Sequence, residues 1–131
     1  MLPAKKYNLL LYVDGARLGY GLAAATCDYD LKFLAAHCDV FYIGGTKVGA
    51  MMGEAVVFTN RKAPKYFFTT VKRHGALLAK GRMLGLQFDT LFTDNLYLRV
   101  GQHAISMAKR LKEIFIAHHI PFAVASPTNQ Q

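Results

Sequence analysis

The sequence predicts an α/β domain, and three observations predict it. Two short apolar, aromatic-rich runs, Leu9-Leu10-Leu11-Tyr12-Val13 and Val40-Phe41-Tyr42-Ile43, have the length and continuity of buried strands. Each is broken at its C-terminal end by glycine, in Asp14-Gly15-Ala16-Arg17 and in Gly44-Gly45-Thr46-Lys47. A helical pattern lies between them and dominates the second half of the chain, an alternation that suits a sheet covered by helices.

The elements follow in order. Residues 9–13 form the first strand, ended by the turn dipeptide Asp14-Gly15. The Gly- and Ala-rich residues 17–25 suit a short helical turn packed closely on the sheet. Asp28 is placed to cap a helix over 29–37, with Leu31, Leu34 and Ala35 on one face. Asp39 opens the second strand, 40–43, and Ala55-Val56-Val57-Phe58 makes a third. Residues 60–64 are a basic loop, and Pro64 favours a helix start just beyond it. Gly75 and Gly81 interrupt the helical pattern that follows; it resumes over 84–92. Asp94 is placed to cap a long helix to about residue 119, with Val100, Ala104, Met107 or Ala108, Leu111 and Phe115 recurring along one face. Ile120-Pro121 ends it, residues 122–125 read as a strand, and Ser126-Pro127-Thr128-Asn129 is turn chemistry.

Composition bounds the functional classes. A chain of 131 residues with 53% hydrophobic and 18% charged residues builds a packed core and is not intrinsically disordered. No apolar run approaches the roughly 18 residues that cross a bilayer. Cys27 and Cys38 lack the spacing of a zinc or redox motif, so two reduced thiols and a cytoplasmic location are expected. The net charge of +8 is spread along the chain, with a loose concentration in Arg61, Lys62, Lys65, Lys72, Arg73, Lys80 and Arg82. That stretch lacks a helix-turn-helix, finger or RNA-binding signature, which argues against nucleic acid; a basic interaction module stays open as an alternative.

The residues with chemistry stand where the strands end. In an open α/β sheet, the carboxyl ends of the strands are where ligands bind. An acid, Asp14, and a lysine, Lys47, placed there suit pyridoxal 5'-phosphate, which needs a Schiff-base lysine and a carboxylate at its pyridine nitrogen. Arg17 suits a bidentate pair with the carboxylate of an amino-acid substrate. Taken singly, each has a plainer reading: a turn aspartate, a solvated arginine, a surface lysine on a Gly-rich turn. The competing Gly19-Tyr20-Gly21-Leu22-Ala23-Ala24 begins too far past the strand for a dinucleotide fingerprint, and no acid ends the next strand. His37-Cys38-Asp39 and His118-His119 lack metal-ligand spacing, so no metal site is expected.

Tyr12-Val13-Asp14-Gly15-Ala16-Arg17-Leu18 and Gly45-Thr46-Lys47-Val48-Gly49-Ala50 resemble the threonine aldolase branch of the β-eliminating lyases. Gly53-Glu54-Ala55-Val56-Val57-Phe58, the run His74 to Arg82, and Ser126-Pro127-Thr128-Asn129-Gln130-Gln131 are similar to the same family. The resemblance implies a partial three-layer domain of the aspartate-aminotransferase fold. Residues 1–92 would be the C-terminal part of the large cofactor-binding domain, and 93–131 the long helix and first strand of the small domain. It implies that Lys47 is the Schiff-base lysine, that Asp14 partners the pyridine nitrogen, and that Arg17 contacts the cofactor's phenolic oxygen and the substrate carboxylate. Thr46 would support the cofactor, and Lys72 and Lys80 would approach a neighbouring subunit's site. The implied reaction is retro-aldol cleavage of threonine or allo-threonine to glycine and acetaldehyde by a homo-oligomer. Another pyridoxal-phosphate-dependent lyase or an aminotransferase stays open. Family members are much longer, so the chain is expected to be a fragment, inactive alone and poorly soluble with its sheet edge uncovered.

Overall fold

The structure is a computed structural model that describes residues 3–59 and 63–131. Asn60, Arg61 and Lys62, part of the expected basic loop and charge cluster, lie outside the described residues. The elements run α1 (Pro3–Lys6), β1 (Tyr12–Val13), α2 (Leu18–Ala23), α3 (Leu31–His37), β2 (Val40–Gly44), β3 (Glu54–Phe58), α4 (Phe67–Arg73), α5 (Arg82–Phe92), a 3-10 turn (Thr93–Asn95) and α6 (Leu96–Ala117).

The three strands make one sheet in the order β1-β2-β3. β1 and β2 are parallel, pairing Tyr12 with Val40 and Val13 with Phe41. β3 returns antiparallel to β2, with Tyr42 opposite Val56 and Gly44 opposite Glu54. The alternation of side chains along a strand then sorts the faces. Leu11, Val13, Phe41, Ile43, Ala55 and Val57 pack with the core residues of α2, α3, α5 and α6. Tyr12, Tyr42 and Val56 lie on the other face, where Tyr12 and Val56 are exposed. Phe58 shares that face with Val56, and Phe67 at the start of α4 packs edge-on against it with ring centroids 5.1 Å apart. The sheet thus carries α2, α3, α5 and α6 on one face and a contact from α4 on the other.

Several boundaries differ from the sequence reading for local reasons. The first strand is only Tyr12–Val13: Leu9 and Leu10 are exposed, and the Leu11 N–H donates to Asp39 Oδ2 at 2.9 Å instead of to a neighbouring strand. Asp30, not Asp28, caps α3; its carboxylate accepts the Phe33 N–H at 2.7 Å, bonding an otherwise orphan donor of the first turn. Asp94 does not cap the long helix. It and Asn95 adopt left-handed backbone angles (φ 49° and 56°), which reverse the chain between α5 and α6 within three residues. Residues 122–125 form no strand and pair with none of the described strands; Phe122 instead packs on Phe115 and lies under the Lys112 ammonium. The turn at 126–129 is formed, with the Thr128 N–H donating to Ser126 Oγ at 3.3 Å.

The expected apolar face of the long helix is borne out in part: Val100 and Ala104 pack against the core, and Ala108 and Phe115 are half-buried. Met107 and Leu111 are exposed, and the buried ridge is Tyr97, Gly101 and Ile105 at i, i+4 spacing. The ridge is chosen by what it meets: α6 lies along α2 so closely that a Cβ on Gly101 would stand 2.6 Å from the Gly19 carbonyl oxygen and 3.1 Å from Ala23 Cβ. Gly101→Ala is therefore expected to destabilise the chain by about 1–3 kcal/mol, although alanine is the better helix former. A urea melt checks this, and a gain in stability would mean that the two helices do not meet as described.

Candidate active site

The site lies where β1 and β2 end side by side. Because these strands are parallel, Asp14 follows β1 and Gly45-Thr46-Lys47 follows β2 on the same edge of the sheet. The ends approach each other through glycine. The Gly44 N–H donates to the Gly15 carbonyl at 2.9 Å, and a Cβ on Gly44 would lie within 2.6 Å of the Gly15 and Ala16 oxygens.

Asp14 is exposed, but its carboxylate is not loose. Oδ1 accepts the Tyr42 hydroxyl and, at 3.0 Å, the Ala16 N–H. The Tyr42 hydroxyl, the Ala16 amide and the nearby Lys47 charge hold the Asp14 carboxyl below the usual carboxylate range, against an opposing effect of desolvation. Tyr42 responds in the opposite sense. Its phenol is pushed up to about 12, first because ionisation would forfeit the hydrogen bond to Asp14 and then by desolvation.

Lys47 presents an exposed side chain from a backbone anchored on every side. The Tyr20 hydroxyl donates to the Lys47 carbonyl. The next residue, Val48, is 0% exposed and wedges against Gly19, where a Cβ would stand 2.9 Å from Val48 Cγ1. Glu54, at the start of β3, accepts the Gly45 N–H at 2.6 Å and the Thr46 hydroxyl at 3.5 Å. From α6, the Tyr97 hydroxyl donates to the Gly44 carbonyl at 2.9 Å. Gln87 on α5 secures the far limb of the loop, accepting from the Met51 and Met52 N–H groups at 2.7 and 3.3 Å.

The structure thus brings Asp14 and Lys47 to one edge, close enough for the lysine's charge to act on the carboxylate. Arg17 is exposed at the entry to α2, and its guanidinium has no hydrogen-bond partner among the described residues. Thr46 is turned toward Glu54. Lys72, on α4, and Lys80, before α5, are exposed and make no hydrogen bond to the other four. Sequence reasoning missed Tyr42, Glu54, Tyr20 and Tyr97. Only Tyr42 left a signal: two strands read as parallel neighbours, each ending at this edge, place it opposite Asp14.

An anionic carboxylate with one oxygen unclaimed and an exposed primary amine on a rigid loop suit a ligand with a ring N–H and an electrophilic carbon. The donor set therefore fits pyridoxal phosphate.

No protein-family model matches the chain. The low specificity L-threonine aldolase of Pseudomonas aeruginosa is 34% identical over 110 residues, which is 84% of this chain and 32% of that protein. The enzyme of the same name from a Pseudomonas species is 36% identical over 110 residues, again 84% of this chain and 32% of the relative. A solved structure described as Leishmania major threonine aldolase superposes with a TM-score of 0.91 at 40% identity, covering 95% of this chain and 36% of that one. The chain spans about a third of the length of the curated relatives it matches, and over that third its sequence and its mixed α/β structure are threonine aldolase-like.

Proposed function

We propose that this chain carries the cofactor-anchoring part of a pyridoxal-phosphate-dependent lyase of the threonine aldolase type. The whole protein would cleave threonine or allo-threonine to glycine and acetaldehyde. The observation that supports this best is the meeting of Asp14 and Lys47 at the ends of two parallel strands, with the lysine's backbone anchored and its amine exposed. When bound, the cofactor supplies a ring that takes up the electron pair left at Cα as the Cα–Cβ bond breaks.

The chain's own residues have separate tasks in this reading. Lys47 would hold the cofactor through its amine, exposed at the end of β2. Asp14, kept ionised by Tyr42 and Ala16, holds a proton on the pyridine nitrogen and so favours electron uptake by the ring. Arg17 binds the substrate carboxylate and the cofactor's phenolic oxygen as a charge-assisted donor. Thr46, beside the lysine, supports the cofactor. Residues 1–92 would belong to the large cofactor-binding domain and 93–131 to the start of the small one, in an aspartate-aminotransferase-type fold. The left-handed pair Asp94-Asn95, where α5 turns into α6, supports a boundary there. The reading takes the whole protein as a cytoplasmic homo-oligomer; no described helix is long and apolar enough to cross a membrane.

Titration of the purified chain with pyridoxal phosphate, followed by borohydride reduction and peptide mapping, tests the reading. The expected result is a saturable visible absorbance band, label on Lys47, and loss of both in Lys47→Ala. Label scattered over many lysines, or a band that persists in Lys47→Ala, would refute the assignment.

A further inference from the structure

The two oxygens of Asp14 are treated differently. Oδ1 accepts two hydrogen bonds, from the Tyr42 hydroxyl and the Ala16 N–H, whereas Oδ2 accepts none among the described residues. Both donors are set by the backbone. Ala16 reaches back two residues in an Asx turn. Tyr42 stands opposite Asp14 because the register that pairs Tyr12 with Val40 and Val13 with Phe41 brings it there next. Its ring is braced by Tyr12, with centroids 6.3 Å apart.

We propose that Tyr42 is a positioning residue for Asp14: its phenol and the Ala16 amide occupy one carboxylate oxygen, keep the group ionised, and leave Oδ2 as the acceptor for the cofactor's ring N–H. The proposal rests on the cofactor reading given above and adds a residue that acts through Asp14 without touching the reacting atoms.

The physical argument has two parts. A carboxylate that accepts two hydrogen bonds is favoured in its charged form, which is the form that keeps a ring nitrogen protonated. A carboxylate held through one oxygen has also lost its freedom to rotate, so the remaining oxygen is aimed before any ligand arrives. The charged and titratable neighbours act consistently with this. Lys47 favours the Asp14 anion, while Glu54 and Tyr12, on either side of Tyr42, keep its phenol protonated and able to donate.

Tyr42→Phe retains the ring and removes the donor. Tyr12→Phe, on the same face and without a hydrogen bond to Asp14, is the matched control. The Asp14 carboxyl is titrated by carbon-detected NMR in the cofactor-free chain, with circular dichroism reporting the fold. The Asp14 midpoint is expected to rise in Tyr42→Phe and to stay in place in Tyr12→Phe. With the cofactor added, Tyr42→Phe should bind pyridoxal phosphate about tenfold more weakly, the size of effect expected on losing one hydrogen bond to a charged group.

An unchanged Asp14 midpoint in Tyr42→Phe overturns the proposal whatever the cofactor does. A raised midpoint with unaltered cofactor affinity overturns it too, because Asp14 would then not need its partner. If the wild-type chain takes up no pyridoxal phosphate, the cofactor reading fails, and with it the assignment of Oδ2, while the carboxyl titration still decides whether Tyr42 governs Asp14. Asp14→Asn supplies a route that does not depend on folding of Tyr42→Phe: the Tyr42 phenol should fall from about 12 toward the ordinary value, read as tyrosinate absorbance. A phenol that stays high in Asp14→Asn counts against the pair.

Discussion

Gly15→Ala is expected to destabilise the chain by about 3 kcal/mol or more, at the upper end of what overpacking costs. A Cβ at this position would stand 1.7 Å from the Tyr42 carbonyl oxygen and 2.9 Å from its carbonyl carbon. Those atoms belong to the central strand, whose other edge is held by β3, so they have no room to withdraw. Moving Gly15 instead would break the bonds its own carbonyl accepts, from Gly44 N–H at 2.9 Å and Leu18 N–H at 3.0 Å. The demand is for space and not for an unusual backbone angle, since Gly15 is absent from the positive-φ residues. Gly85→Ala is the contrasting case. Nothing lies within 4 Å of its would-be Cβ, and it sits within α5, so alanine should stabilise by about 0.5–1 kcal/mol. Urea midpoints at constant slope measure both changes. A Gly15→Ala chain as stable as wild type would mean that the strand ends do not touch, and the proposed site would lose its frame.

Tyr97→Ala is expected to cost about 3–5 kcal/mol, the range for emptying an aromatic site in a core. Tyr97 is 1% exposed, stacks on Phe92 with centroids 5.4 Å apart, and donates to the Gly44 carbonyl at 2.9 Å. Tyr97→Phe separates the ring from the hydroxyl. It leaves a buried carbonyl without this partner, so about 1–3 kcal/mol should be lost, together with some order in the loop that carries Lys47. A Tyr97→Phe chain that loses nothing would show that the Gly44 contact does not secure the loop.

The same residue gives the fold an alkaline limit. Burial pushes the Tyr97 phenol up to about 12, and the bond to Asp14 does the same for Tyr42. In the unfolded chain both phenols ionise near their ordinary value of about 10. The folded values are the higher ones, so the contribution to stability is complete below about pH 10 and is lost as pH rises toward 12. Unfolding free energies measured across that window should fall with pH, and fall less steeply in Tyr97→Phe.

Short-range patterns made much of this chain legible from its residues alone. Continuous apolar runs were enough to locate β2, broken by Gly44-Gly45, and β3, which follows Gly53, because strand formation there depends on burial and on local breaks. The interruptions at Gly75 and Gly81 are local too, since Gly75 adopts a φ of 71° and α5 begins just after Gly81. Asp14, Arg17 and Lys47 were singled out by their place after strands, which is again a property of the local sequence, and Thr46 by the family resemblance.

What the sequence alone misplaced were choices between equivalent local options. Asp28 and Asp30 are both capping residues, and Asp30 does the capping because the helix begins at Leu31. Along α6 the apolar side is wider than the expected stripe: Val100 and Ala104 pack against the core, and the deepest ridge runs through Gly101, where α2 approaches closely. Residues 122–125 have strand-like composition, but a strand also needs a neighbour's free backbone groups, and none of the described strands pairs with them.

The sequence by itself determined the α/β class and two of the three strands, because each rests on hydrophobic periodicity, and it named the candidate site residues from their intrinsic chemistry. Only the tertiary structure decided that Gly15 serves close approach more than turning, that Tyr42 rather than bulk water faces Asp14, and that Glu54, Tyr20 and Tyr97 anchor the lysine loop. Those contacts join residues far apart in the chain, as Tyr97 joins Gly44. Their partners are selected by strand register and helix packing, neither of which is written in any one segment.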